Sequence, residues 1–178
     1  MNKNALLPSA ITSLRLVTLP LLVFFLNRGD TALFLAIFLF SSSTDLVDGY
    51  VARKFNAASR KGAYFDSIAD FCVISGVFLV YAAKGILPYW IPAMIIFSFA
   101  LFMITSLHRA HIYDPVGKYF GGFLYVTIAV LTVFPALNVL AIIVIPIFFF
   151  ACVASRIACI LFPRRFSGAA KGQETKQE

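Results

Sequence analysis

Asp45-Leu-Val-Asp48-Gly49-Tyr-Val-Ala52-Arg53, then eight intervening residues, then Gly62-Ala-Tyr-Phe-Asp66-Ser-Ile-Ala-Asp70, lies between apolar runs too short to be complete by themselves. In this half of the chain, stretches free of Asp, Glu, Lys and Arg are Leu16–Asn27, Thr31–Thr44 and Phe71–Ala83, which are 12, 14 and 13 residues long. A helix needs about 20 residues to cross a hydrocarbon core. Natural extensions give helices near 9–28, 31–54 and 62–83, so Arg15, Asp45, Asp48, Asp66 and Asp70 ride on helices and not in loops.

The second half is simpler. Lys84 and Arg109 enclose 24 residues without a charge, one span. Tyr119–Ser155 is 37 uncharged residues, too many for one crossing, and Pro135-Ala136-Leu137-Asn138 supplies a turn in its middle. The expectation is an all-α polytopic membrane protein of six transmembrane helices, with a short interfacial helix over Met1–Leu7 as an optional preface. Residues 1–166 form one membrane domain, and 167–178 form a polar, disordered tail.

Composition agrees: of the 178 residues 61% are hydrophobic and 13% charged, against about 25% charged in soluble domains. The net charge of +7 does not indicate nucleic acid, because the basic residues flank apolar spans and build no soluble face. With six spans, thirteen Lys and Arg fall on the side of the termini, and only Arg28 and Lys84 fall opposite. The positive-inside rule then puts both termini and the Asp45–Asp70 region on the cytoplasmic side of the cell membrane. Cys72, Cys152 and Cys159 lie in apolar runs without paired spacing and read as small core residues.

Four of the eight acidic residues fall within Asp45–Asp70. A carboxylate at membrane depth costs about 2.5–3.5 kcal/mol at a helix centre, and less near the interface. Asp45 and Asp48 are three apart and share one helix face; Asp66 and Asp70 are four apart and share another. A short connection, about Phe55–Lys61, makes antiparallel neighbours of the two helices and pools the four acids. Like charges so close repel unless cations sit between them, and an all-oxygen set without His or Cys favours Mg2+, Mn2+ or Ca2+. Gly49 and Gly62 allow close approach of a ligand to the backbone, Ala52 sits one turn after Asp48, and Arg53 has the fork that grips a diphosphate. Each of these also has a plain reading, helix packing for the glycines and a topology-setting charge for Arg53.

The stretch resembles the signature of the CDP-alcohol phosphatidyltransferases, D-x2-D-G-x2-A-R-x8-G-x3-D-x3-D, at every fixed position. The resemblance implies a homodimer of six-helix protomers with a cytosol-facing cavity. It would move a phosphatidyl group from a CDP-linked lipid, CDP-diacylglycerol or an ether analogue, to a small alcohol and release CMP. It implies that Asp45, Asp48 and Asp66 ligate metal, two ions of Mg2+ or Mn2+, with Asp70 joining them and acting as base on the acceptor hydroxyl. Gly49, Ala52, Arg53 and Gly62 would line the CDP portion.

The acceptor is less legible. Arg109, Lys118 and Arg156 stand near the cytoplasmic ends of the last three helices and suit an acceptor phosphate, as in glycerol phosphate or inositol phosphate. As topology anchors they are equally well explained. The run Asp66-Ser-Ile-Ala-Asp70-Phe71 resembles the serine-transferring branch, and Phe71 stands where glycerol-phosphate enzymes often carry lysine, so serine remains the alternative acceptor. His108 and His111 read as packing or solvent contacts. A cation transporter would also use buried acids, but no second acidic pair or matching helix break appears in the later spans.

Overall fold

The computed structural model describes residues 6–54, 60–108 and 117–161, with side chains over 17–43, 67–105 and 119–159. The described residues form six α-helices and no strand: α1 Leu6–Arg28, α2 Thr31–Lys54, α3 Arg60–Ala83, α4 Trp90–His108, α5 Gly117–Val133 and α6 Asn138–Leu161, with a 3-10 turn at Pro135–Leu137 before α6. At about 1.5 Å per residue, helices of 17 to 24 residues are roughly 26–36 Å long, comparable to a hydrocarbon core. Leu6 and Leu7 belong to α1 itself, and residues 1–5 and the tail from 162 lie outside the described residues.

One helical stretch, Pro135–Cys159, is long and apolar enough by itself to cross a membrane, and only 22% of its apolar window is buried. The core helix of a soluble protein would be mostly covered, whereas here Val139, Leu140, Ile143, Ile147 and Phe150 lie exposed along the flank of α6. The described parts of the other five helices are shorter apolar runs.

The ends of the bundle are built differently. At the end away from the aspartates, α1 closes on Gly29, whose φ of +80° suits a residue without Cβ, with Gly29 N–H donating to Leu26 O and Asp30 N–H to Phe25 O. Gly85, φ +72°, closes α3 the same way, through Gly85 N–H to Ala82 O and Ile86 N–H to Tyr81 O. Lys84 Nζ donates to the Leu26 carbonyl, and Asn138 Nδ2 donates to Ile86 O at 3.2 Å, so these turns are stitched together. Several of the carbonyls that these helix ends leave over are thus satisfied by the protein itself.

Between the ends, Leu22, Phe34, Phe38, Val77, Phe78, Ile91, Ile128 and Ile145 form the core. Tyr81 is buried among them with its hydroxyl donating to Ile128 O at 3.0 Å and paired with Thr132 Oγ1. Cys152 and Cys159 are buried and Cys72 half-buried, none of the three in a disulfide. Among the described residues α2 packs on α1 and α5, and α3 on α1, α4 and α5, without a direct approach of α2 to α3. The connection expected to make neighbours of α2 and α3, about Phe55–Lys61, and the turns that carry Asp45, Asp48 and Asp66 lie outside the residues whose side chains are described.

The most extensive helix pairing is α1 with α3. A Cβ on Gly76 would come 2.8 Å from Leu19 Cδ1, so the absence of a side chain sets this approach. Gly76→Val should cost about 1–3 kcal/mol by overpacking, and Gly76→Ala less, since the Leu19 side chain can turn. Thermal unfolding in detergent measures both; equal melting temperatures for all three proteins would refute this account of the α1–α3 contact.

Candidate active site

Asp45 and Asp48 lie in the second half of α2, and Asp66 and Asp70 in the first half of α3, so both pairs are helical as their spacing requires. Gly49, Ala52 and Arg53 lie in the last turns of α2, and Gly62 in the first turn of α3. Asp70 is the one of these residues whose side chain is described; the side chains of Asp45, Asp48, Ala52, Arg53 and Asp66 fall outside the described set.

Asp70 is half-buried and lines an open-mouthed cavity of about 430 Å3 bordered by α3, α4, α5 and α6. Its Oδ1 accepts a hydrogen bond of 2.8 Å from the Tyr125 hydroxyl. The polar lining is sparse, Ser67, Asp70, Ser98, Tyr125 and Arg156, in a wall otherwise apolar. That is the usual make-up of a small-molecule site, where a few placed polar groups fix orientation.

Arg156 of α6 reaches the same cavity although only 6% exposed. Its guanidinium lies 4.6 Å above the centre of the Phe102 ring, and Nη2 donates to the Phe102 carbonyl at 3.4 Å. A cation–π contact and a carbonyl keep this arginine from being stranded at depth, while leaving the fork in a cavity wall, a placement suited to an anion. Phe102 ends an aromatic ladder: Phe71 stacks on Phe99 at 3.8 Å, and Phe99 on Phe102 at 6.4 Å. The ladder begins beside Asp70 and ends beneath Arg156, so Phe71, at the position where glycerol-phosphate enzymes often carry lysine, serves as wall. Of the other basic candidates, Arg109 lies outside the described residues, as does His111; Lys118 is in the first turn of α5 and His108 at the end of α4, both without a described side chain.

Of the four aspartates, Asp70 is the one seen at the cavity wall, where its carboxylate offers the hard oxygen donor that divalent cations such as Mg2+ and Mn2+ take. The sequence pattern did not single out Tyr125, one of two tyrosines in an apolar run. The neighbouring Gly121-Gly122 pair was the available signal, since two successive glycines in a helix need a reason.

Residues 5–154 match the family model described as CDP-alcohol phosphatidyltransferase. A cardiolipin synthase (CMP-forming)/mitochondrial hydrolase fusion protein of Schizosaccharomyces pombe is 30% identical over 117 residues, 66% of this chain and 20% of that protein. The CDP-diacylglycerol–glycerol-3-phosphate 3-phosphatidyltransferase of Bacillus subtilis is 30% identical over 51% of this chain and 54% of its own. The protein of the same name from Rickettsia felis is 33% identical over 58% of each. The chain therefore spans at most about three fifths of these relatives.

A Cβ on Gly121 or Gly122 would meet nothing within 4 Å, and both residues line the cavity, so these glycines keep space open and do not seat a neighbouring helix. Gly121→Ala and Gly122→Ala should leave stability unchanged or raise it by up to about 1 kcal/mol through helix propensity. A clear fall in the detergent melting temperature would show instead that something packs against this face.

Proposed function

The chain belongs to the CDP-alcohol phosphatidyltransferase family, and on that premise we propose that it transfers a phosphatidyl-type group from a CDP-linked lipid to a phosphorylated small alcohol, with glycerol phosphate the favoured acceptor and CMP released. The observation that carries this reading is a single cavity bearing the Asp70 carboxylate on one helix and the buried Arg156 guanidinium on another. The likeness to relatives named for glycerol-3-phosphate favours that acceptor.

In this reading all six helices cross the membrane, with the termini and the cavity mouth at the cytoplasmic face, as the distribution of Lys and Arg supports. The protein works as a homodimer on CDP-diacylglycerol or an ether analogue. Arg53, Gly49, Ala52 and Gly62 hold the CDP portion, with Arg53 at the diphosphate. Arg156, joined by Arg109 and Lys118, binds the acceptor phosphate. Asp45, Asp48, Asp66 and Asp70 would hold two Mg2+ or Mn2+ ions, whose charge neutralises the diphosphate and the departing CMP.

The acceptor hydroxyl forms a bond to the phosphorus that carries the lipid, and the bond from that phosphorus to the oxygen bridging to CMP breaks. CMP leaves with that oxygen and its electron pair. Asp70 takes the proton from the acceptor hydroxyl, which its place at the cavity wall allows. The apolar remainder of the cavity limits water, which would otherwise compete as acceptor.

A second reading has cardiolipin as product, supported by the likeness to the Schizosaccharomyces pombe protein and to a cardiolipin synthase of Drosophila melanogaster. Cardiolipin carries two phosphatidyl groups on one glycerol, so the acceptor would then itself be a lipid.

Purified protein given CDP-diacylglycerol, Mn2+ or Mg2+ and, in turn, glycerol phosphate, inositol phosphate, serine and a phosphatidyl-bearing glycerol should release CMP with glycerol phosphate; mass analysis of the lipid product separates the two readings. Release with serine alone would remove the phosphorylated acceptor. Asp70→Asn should lower kcat by about 10²–10⁴-fold with the fold retained by circular dichroism, and turnover at the wild-type rate would take the base role away from Asp70. Arg156→Gln should raise the acceptor KM by about 10- to 100-fold, the loss of a charge-assisted contact, while leaving the KM for CDP-lipid nearly unchanged.

A further inference from the structure

Two helices that carry the acids do not touch each other directly among the described residues, yet one side chain reaches both. Tyr125 of α5 packs its ring against Phe38 of α2, centres 5.3 Å apart and planes 31° apart, and donates its hydroxyl to Asp70 Oδ1 of α3. Phe38 is only 2% exposed and stacks in turn on Phe34, so the surface that the tyrosine leans on is fixed. Phe38 precedes Asp45 by seven residues, two turns of α2, and so stands on the same face as that aspartate.

We propose that Tyr125 is a positioning residue for the transfer reaction: wedged between α2 and α3, it holds the Asp70 carboxylate in one orientation and keeps the two acid-bearing helices in register. The inference rests on the phosphatidyltransferase reading above. A hydrogen bond to Oδ1 restrains rotation of the carboxyl about Cβ–Cγ, so Oδ2 keeps one direction relative to the cavity that Asp70 lines. A base or a metal ligand gains from that restraint, because the carboxylate does not have to be ordered during reaction.

The contrast with Tyr81 separates this role from ordinary packing. Tyr81 is fully buried, and its hydroxyl meets Thr132 and a backbone carbonyl, groups with no chemistry to perform. Tyr125 is half-buried, lines the cavity, and spends its hydroxyl on a carboxylate.

Tyr125→Phe keeps the ring, its contact with Phe38 and the cavity volume, and removes only the hydroxyl. With wild type and variant in the same detergent, kcat for CMP release should fall by about 10- to 100-fold, with the KM for acceptor and CDP-lipid each within about twofold. Titration with Mn2+ alone, followed by its paramagnetic resonance signal, should show weaker binding by a similar factor. Unchanged kcat and Mn2+ affinity would reduce Tyr125 to packing, and so would a variant that no longer folds, since the hydroxyl would then serve stability. Should wild type release no CMP with any acceptor, the functional reading fails on its own, and the Mn2+ titration still decides whether Tyr125 orders Asp70.

Discussion

A charged or polar group at the depth of a hydrocarbon core has no water to fall back on, so its partner must come from the protein. Four described side chains show such pairing. Lys84 finds the Leu26 carbonyl, Tyr81 finds Thr132 and Ile128, Arg156 finds the ring and carbonyl of Phe102, and Asp70 finds Tyr125. Each pairing ties two helices, and together they supply directional contacts that apolar packing against lipid cannot.

These pairings divide the molecule into a structural end and a chemical end. At the first, glycine-closed helix ends and the Lys84 and Asn138 contacts hold the turns together. Toward the second, the helices part enough to leave a cavity, and Gly121 and Gly122 keep its wall free of side chains. A carboxylate and a guanidinium face one cavity from α3 and α6. The proposed transfer reaction uses both, the carboxylate to take a proton and the guanidinium to receive a phosphate.

The aromatic residues act on the same arrangement. Phe71, Phe99 and Phe102 form a stiff wall from Asp70 to Arg156, while Phe34 and Phe38 back Tyr125 from the other side. Rings lose little freedom on ordering and stack in few ways, so they hold polar groups in place without offering competing hydrogen bonds.

The sequence by itself determined the six helices, because uncharged runs, glycines and prolines bound each one within a few residues, and it placed all four aspartates on helix, because no apolar run beside them is long enough without them. It also supplied the family, through eight fixed positions. It did not determine that Tyr125 packs on Phe38 of α2 while donating to Asp70 of α3, or that Phe102 carries Arg156. Asp70 and Tyr125 are 55 residues apart and Phe102 and Arg156 are 54 apart; such pairs form only when particular helix faces meet. Periodicity fixes which residues share a face, but which face turns toward which neighbour is set by the packing of the whole bundle.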